Sequence, residues 1–318
     1  MSYPNRIFIY GPVGLLLLIV VLYSVFWRVQ ADTLSARLDR ANGGEVIPGV
    51  LFAFAEKSVG GFPFRLDAVL SGVTFSHQGP EGETAWRTEE LALHTLSYGQ
   101  NRYVFEAAGL QSFARPPAMP GTVPRVIFVT PAIARASAIL NAGQLARFDL
   151  DLWEPRGREA TQGADPSRSF SAARAQLHFM ARADHTIDVA MKIENARIGP
   201  GFAASTSEIV LPLIDLRGKV TQAEALDALR AGEVSLDDAA EAWRARMGAL
   251  TVSDLSVNWP DARADLKGDL ILSGAHRVTG ILQGKGVQNR TVPAEFGLVF
   301  ADGDMRLVAA SAPAGSGP

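Results

Sequence analysis

Between Arg6 and Arg28 the chain passes through 21 residues, Ile7 to Trp27, without a charge. At ~1.5 Å per residue a helix of that length measures about 32 Å, enough to cross a hydrocarbon core of ~30 Å. Leu15 to Leu22 is solid Leu, Ile and Val. Pro12 falls in the first turns, where its missing N–H costs least. Tyr10, Tyr23 and Trp27 lie toward the two ends, where aromatic belts form. The segment reads as a transmembrane helix over 7–27 behind a short leader, 1–6. The competing reading is a cleaved signal peptide, with Val29-Gln30-Ala31 at the cut. Against it, the apolar run exceeds the ~7–15 residues of a signal core, and Phe26, Trp27 and Arg28 are bulky beside the cut. An uncleaved anchor is the expectation. Arg6 precedes the run, and a large domain follows a single signal-like helix. The N-terminus is therefore expected in the cytoplasm and residues 28–318 outside it.

Composition narrows what that domain can do. The chain has 318 residues, 47% of them hydrophobic and 20% charged, too apolar for a disordered chain. Without Arg6 and Arg28, 28 Lys and Arg remain against 33 Asp and Glu, about −5 for the exported part. That excludes a basic footprint for nucleic acid and argues against docking on anionic lipid by charge. There is no cysteine, which removes disulfides, thiolate catalysis and Cys-ligated zinc together.

Beyond a short stalk, 28–45, in which Ala31 to Arg40 prolongs the helix and Gly43-Gly44 ends it, the dominant period is two. Phe62, Phe64, Leu66, Ala68 and Leu70 share one face, with Arg65 and Asp67 on the other. At Gly72 the parity changes to Val73 and Phe75, as a bulge would produce. Roughly a dozen such runs follow, with turns at Tyr98–Asn101, Ala183-Asp184-His185 and Asp302-Gly303-Asp304. Pro131 to Ala142 leans to strand despite its alanines. Pro155 to Ser169 lacks large apolar residues and reads as an exposed loop, a candidate subdomain boundary at 155–169. The tail, 312–318, reads as disordered. The fold class is mainly β (α+β): one long, twisted, curved antiparallel sheet in a domain over 46–311.

Two helices interrupt the pattern. Thr221-x-x-Glu224 predicts a capping box with Gly232 as the closing glycine, and Ser235-x-x-Asp238 opens a second helix closed by Gly248. Leu236, Ala239, Ala240, Trp243 and Met247 form an apolar stripe, so an αα-hairpin over 222–247 is expected to pack on the sheet.

The sequence offers no catalytic motif, and no enzyme, cofactor or metal site is expected. Gly280 to Gly286 is one residue short of a phosphate loop, and no Ser or Thr follows Lys285. Asp184, His185 and Asp188 read as a solvated turn rather than a metal cluster. The other histidines (His77, His94, His178, His276) have no ligand spacing. Asn289-Arg290-Thr291 fits the glycosylation pattern only as a three-residue match.

One motif stands out: Gly61-Phe62-Pro63-Phe64-Arg65, preceded by Gly60. Pro63 cannot donate to a ladder, so a strand begins here or lies at an edge. Its two rings either anchor one end of the core or form the mouth of an apolar groove lined by Phe62, Phe64, Leu66 and Leu70. With this motif behind one N-terminal anchor, and Leu66 and Asp67 following, the chain resembles a family of bacterial membrane-anchored proteins labelled domain of unknown function 2125. Its strand–turn–strand runs, Leu216–Val220 and Asp265–Leu270, are distantly similar to AsmA-type envelope proteins. That likeness implies a curved sheet with an apolar inner face and a part in lipid transport. The resemblance implies an inner-membrane protein with a periplasmic domain and supplies no active site. A dozen alternating strands present more apolar face than one helical hairpin covers. The expected function is binding of lipid or another envelope amphiphile, or assistance to envelope assembly. The alternative is a tethered structural or protein-interaction domain without a ligand.

Overall fold

A computed structural model describes residues 6–79, 82–99, 101–116, 125–160, 168–200, 207–288 and 294–309. The expected tail at 312–318, the acceptor site at 289–291 and most of the leader lie outside them.

Helix α1 runs unbroken from Arg6 to Ala41, about 54 Å at ~1.5 Å per residue, so anchor and stalk are one rod. It is long and apolar enough to cross a membrane. From Val13 to Leu22 its large side chains are exposed, as a helix in lipid requires. Asn42 N–H closes the last turn on the Leu38 carbonyl, and Gly43 turns the chain into the sheet.

The strands follow in chain order: β1 (Gly44–Ile47), β2 (Val50–Ala53), β3 (Glu56–Gly60), β4 (Arg65–Gly79), β5 (Gly82–Leu96), β6 (Arg102–Arg115), β7 (Arg125–Thr130), β8 (Ile133–Asn141), β9 (Gln144–Trp153), β10 (Arg156–Ala160), β11 (Ser169–Ser171), β12 (Arg174–Ala181), β13 (Ile187–Ile198) and β14 (Ile209–Val220). After two short helices come β15 (Leu250–Asn258), β16 (Ala262–Leu272), β17 (Val278–Gln288), β18 (Ala294–Ala301) and β19 (Asp304–Ala309). All nineteen belong to one sheet. Most pair with the strand next in sequence, and every pairing among the described residues is antiparallel. In the first half, short strands share a row end to end: β2 with β3 on β4, β7 with β8 on β6, β9 with β10, and β11 with β12 on β13. Residues 156–160, expected in a loop, are therefore strand β10. Their small and polar side chains still form a ladder because β7 and β11 present partners on both sides.

The alternation of β4 changes parity where expected. Leu66, Ala68 and Leu70 are buried, Gly72 sits at φ 60°, and Val73 is buried next. A positive φ there is open to glycine at little steric cost.

The helical insertion is smaller than expected. It comprises a 3-10 turn at Ala223–Leu226, α2 (Asp227–Arg230) and α3 (Leu236–Ala245). The predicted capping box does not form. The Thr221 hydroxyl instead exchanges hydrogen bonds with the main chain of Ala249, Glu224 pairs with Arg246, and Gln222 stands at φ 53°. Tying the two chain ends of the insertion together outcompetes the local cap. The second cap is as expected: Asp238 N–H donates to Ser235 Oγ at 3.1 Å. Met247, assigned to the apolar stripe, is 86% exposed because it occupies the left-handed position (φ 56°) that ends α3. Trp243 does face inward and donates to the Thr221 carbonyl at 2.7 Å. The insertion touches strands far apart in the sheet. Asp237 reaches His77 on β4, Arg230 donates to the Leu145 carbonyl on β9, and Glu241 meets His276 in the β16–β17 turn.

In denaturant titrations, Trp243→Ala is expected to lower stability by about 2–3 kcal/mol, since a partly buried ring and its hydrogen bond are lost. Met247→Ser is expected within about 0.5 kcal/mol of the wild type.

Candidate functional site: an apolar cavity in the curled sheet

The curled sheet lines a partly open cavity of about 640 Å³. Its wall includes Phe75 on β4, Trp86 and Leu91 on β5, Phe105 on β6, Phe148 on β9 and Ile214 on β14. In a flat sheet β4 and β14 would stand about 30 Å apart at ~4.8 Å per row. Both line one cavity because the sheet curls across its inner face.

Alternation explains the lining. On β9, Phe148, Leu150 and Leu152 point inward, while Arg147, Asp149 and Asp151 point outward. The outward residues pair laterally. Arg174 from β12 grips Asp151 at 2.7–2.8 Å and lies over the Trp153 ring. Asp149 takes hydrogen bonds from Arg147, His178 and Ser137. The Arg174 hydrogen bond holds the Asp151 carboxyl below the ordinary carboxylate range, against partial burial. Partial burial pushes Asp149 up, and the hydrogen bonds from Arg147 and His178 outweigh it, so it too titrates low. The two arginines that border the wall have side chains more than half exposed, and they form surface ion pairs, Arg135 with Glu106 and Arg197 with Glu208. Gln111 on β6 is buried. It accepts from the Trp86 indole N–H at 3.3 Å, and its own Nε2 has no partner among the described residues.

The wall is continuous with two packed clusters. Phe75, Trp86, Leu91, Phe105 and Ala107 also belong to or flank the cluster of Phe52, Phe54, Leu70 and Val73, on which Leu38 and Ala41 of α1 pack. Ile214 leads into the cluster of Val252, Leu255, Ala264, Leu266 and Leu282 at the other end. An apolar inner face thus runs from the end of α1 through the cavity to β18.

The motif residues stand elsewhere and do not share one face. Phe62 and Phe64 are not on a strand. They lie in the turn before β4, 53% and 62% exposed, against one face of α1. The Phe62 ring meets Trp27 edge-on at 5.4 Å, and Phe64 packs on Tyr23 at 6.2 Å. Tyr23 Oη donates to the Pro63 carbonyl at 2.7 Å, and Trp27 Nε1 to the Arg65 carbonyl at 2.8 Å. Gly61, at φ 98°, brings the main chain so close that a Cβ would lie 2.8 Å from the Arg65 carbonyl oxygen. Arg65 pairs with Asp67, which also accepts from His94. Leu66, 1% exposed, is sealed beneath Trp27 and Ala31, and Leu70, 2% exposed, lies in the cluster beside the cavity. None of the four residues expected to line a groove lines this cavity. Sequence reasoning missed the wall residues because no strand offers more than four of them and several offer one. The alternation of β6 and β9 was the available signal.

Among the described residues no three His, Asp or Glu are placed to hold a metal ion. Asp184 and Asp188 serve Thr186, Arg182 and Lys219 instead. Gly280 to Gly286 lies inside β17.

Fold and cavity define a class: a one-sheet β protein with an apolar interior, led by a helix long enough to span a membrane. The chain belongs to the bacterial family described as "Uncharacterized protein conserved in bacteria (DUF2125)", whose pattern matches residues 27–290. No curated protein and no solved structure matches it, so the likeness to AsmA-type proteins gains no support there.

Because Asp149 and Asp151 titrate below their unfolded values, their stabilisation is present above about pH 4 and is lost as pH falls through the lowered folded values. Acid unfolding of Asp151→Asn is expected to show a smaller loss below pH 4 than the wild type, starting from lower stability at pH 7.

Proposed function

We propose that this chain is a binding protein anchored in the bacterial inner membrane, with its sheet in the periplasm and an acyl chain or similar envelope amphiphile held in the cavity. It binds and does not catalyse. The observation that carries the reading is the cavity itself. Its wall is almost entirely carbon, the two arginines that border it are exposed and paired at the surface, and its volume falls within the ~300–1,000 Å³ of small-molecule sites. Its position supports a lipid source, since α1 leaves the apolar run at Trp27 and ends against the cluster that forms one side of the wall.

Mass spectrometry of the detergent-extracted protein should find lipid retained by the wild type and several-fold less retained by Ala136→Trp or Ala175→Trp, which fill the cavity from β8 and β12. Equal lipid in all three, or none in the wild type, would favour a tethered interaction domain.

The cysteine-free sequence makes topology directly readable. Ser253→Cys, on an exposed position of β15, is expected to react with a membrane-impermeant maleimide in intact spheroplasts. Reaction only after lysis would place the domain in the cytoplasm.

A further inference from the structure

Resting on that reading, we infer that the occupant is an acyl chain carrying a neutral carbonyl, an ester or amide, and that Gln111 Nε2 is the donor that receives it. The orientation of the Gln111 amide is determined by its neighbour. Trp86 Nε1 can only donate, so the atom it meets at 3.3 Å is the Gln111 oxygen. The Nε2 group therefore points away from Trp86, is buried, and has no partner among the described residues. The surrounding groups offer nothing to it. Val129 sits opposite in the ladder, and Phe113 is the next inward residue on the strand. The Thr88 hydroxyl, paired across from Gln111, shares its one hydrogen between the Glu90 and Ala108 carbonyls and accepts no hydrogen bond from Nε2.

A buried amide N–H left unpaired costs about 1–3 kcal/mol, so a donor kept inside a carbon wall marks where an acceptor enters. The acceptor is neutral for two reasons. The donor is an uncharged amide, which cannot compensate the desolvation of a carboxylate or phosphate. The cations that border the wall, Arg135 and Arg197, are more than half exposed and paired with surface glutamates, so neither offers a buried charge to an anion. An acyl ester or amide satisfies both conditions, with its chain along the apolar wall and its carbonyl on Nε2.

The test is a competition on the full chain in detergent. Purified protein is offered an equal mixture of methyl palmitate and octadecane, and the retained ratio is read by mass spectrometry. Gln111→Met keeps the length and a weak acceptor for Trp86 but removes the donor, and Gln111→Leu serves as a second side chain. Partitioning into detergent is common to all three proteins and cancels in the comparison. The wild type is expected to favour ester over alkane by about fivefold more than either variant, the ratio corresponding to one net hydrogen bond. The same ratio in wild type and variants, with both probes retained, overturns the role of Gln111 and leaves the cavity reading standing. Retention of neither probe by the wild type overturns both.

Discussion

An open sheet with one apolar face must cover that face, and this requirement organises the molecule. Nineteen strands in near-sequential antiparallel order give a long ribbon, and neither β1 nor β19 gains a second neighbour among the described residues. The ribbon covers itself by curling, which brings β4 and β14 onto one cavity. The insertion after β14 reinforces the curl through Asp237 and His77, Arg230 and the Leu145 carbonyl, and Glu241 and His276. Bulges and broken rows in the first half supply the bending, since each extra residue adds local twist.

The same need explains how the membrane helix meets the sheet. β3 is a short edge strand, and exposed edges invite pairing with other chains. Here α1 covers it: Lys57 on β3 donates to the Ser35 carbonyl and hydroxyl at 2.7 Å and pairs with Asp39 at 2.6 Å. More than two turns nearer the N-terminus of α1, the Phe-Pro-Phe turn clasps Tyr23 and Trp27 through two ring contacts and two hydrogen bonds to main-chain carbonyls. The motif that stands out in the sequence therefore joins anchor to domain, while the cavity is built from residues that carry no motif.

Local features of the sequence were legible where one short-range force decided them. The parity change at Gly72 shows in burial, the turns at 183–185 and 302–304 join the strands expected, and Ser235 caps α3. Features decided by distant partners were not. Thr221 abandons its cap for Ala249, residues 156–160 become strand because β7 and β11 flank them, and Phe62 and Phe64 leave the strand face for α1. In each case a contact from far along the chain outweighed a local preference worth about 1 kcal/mol.

By itself the sequence determined the long apolar helix, the antiparallel β class and the family, because these depend on runs, periods and a short motif that need no partner. Only the tertiary structure decided where the apolar face opens into a cavity and that Gln111 is left there with a free donor. Period two states which side chains share a face, but the direction and extent of curling depend on twist summed over many strands. No window of sequence contains that sum.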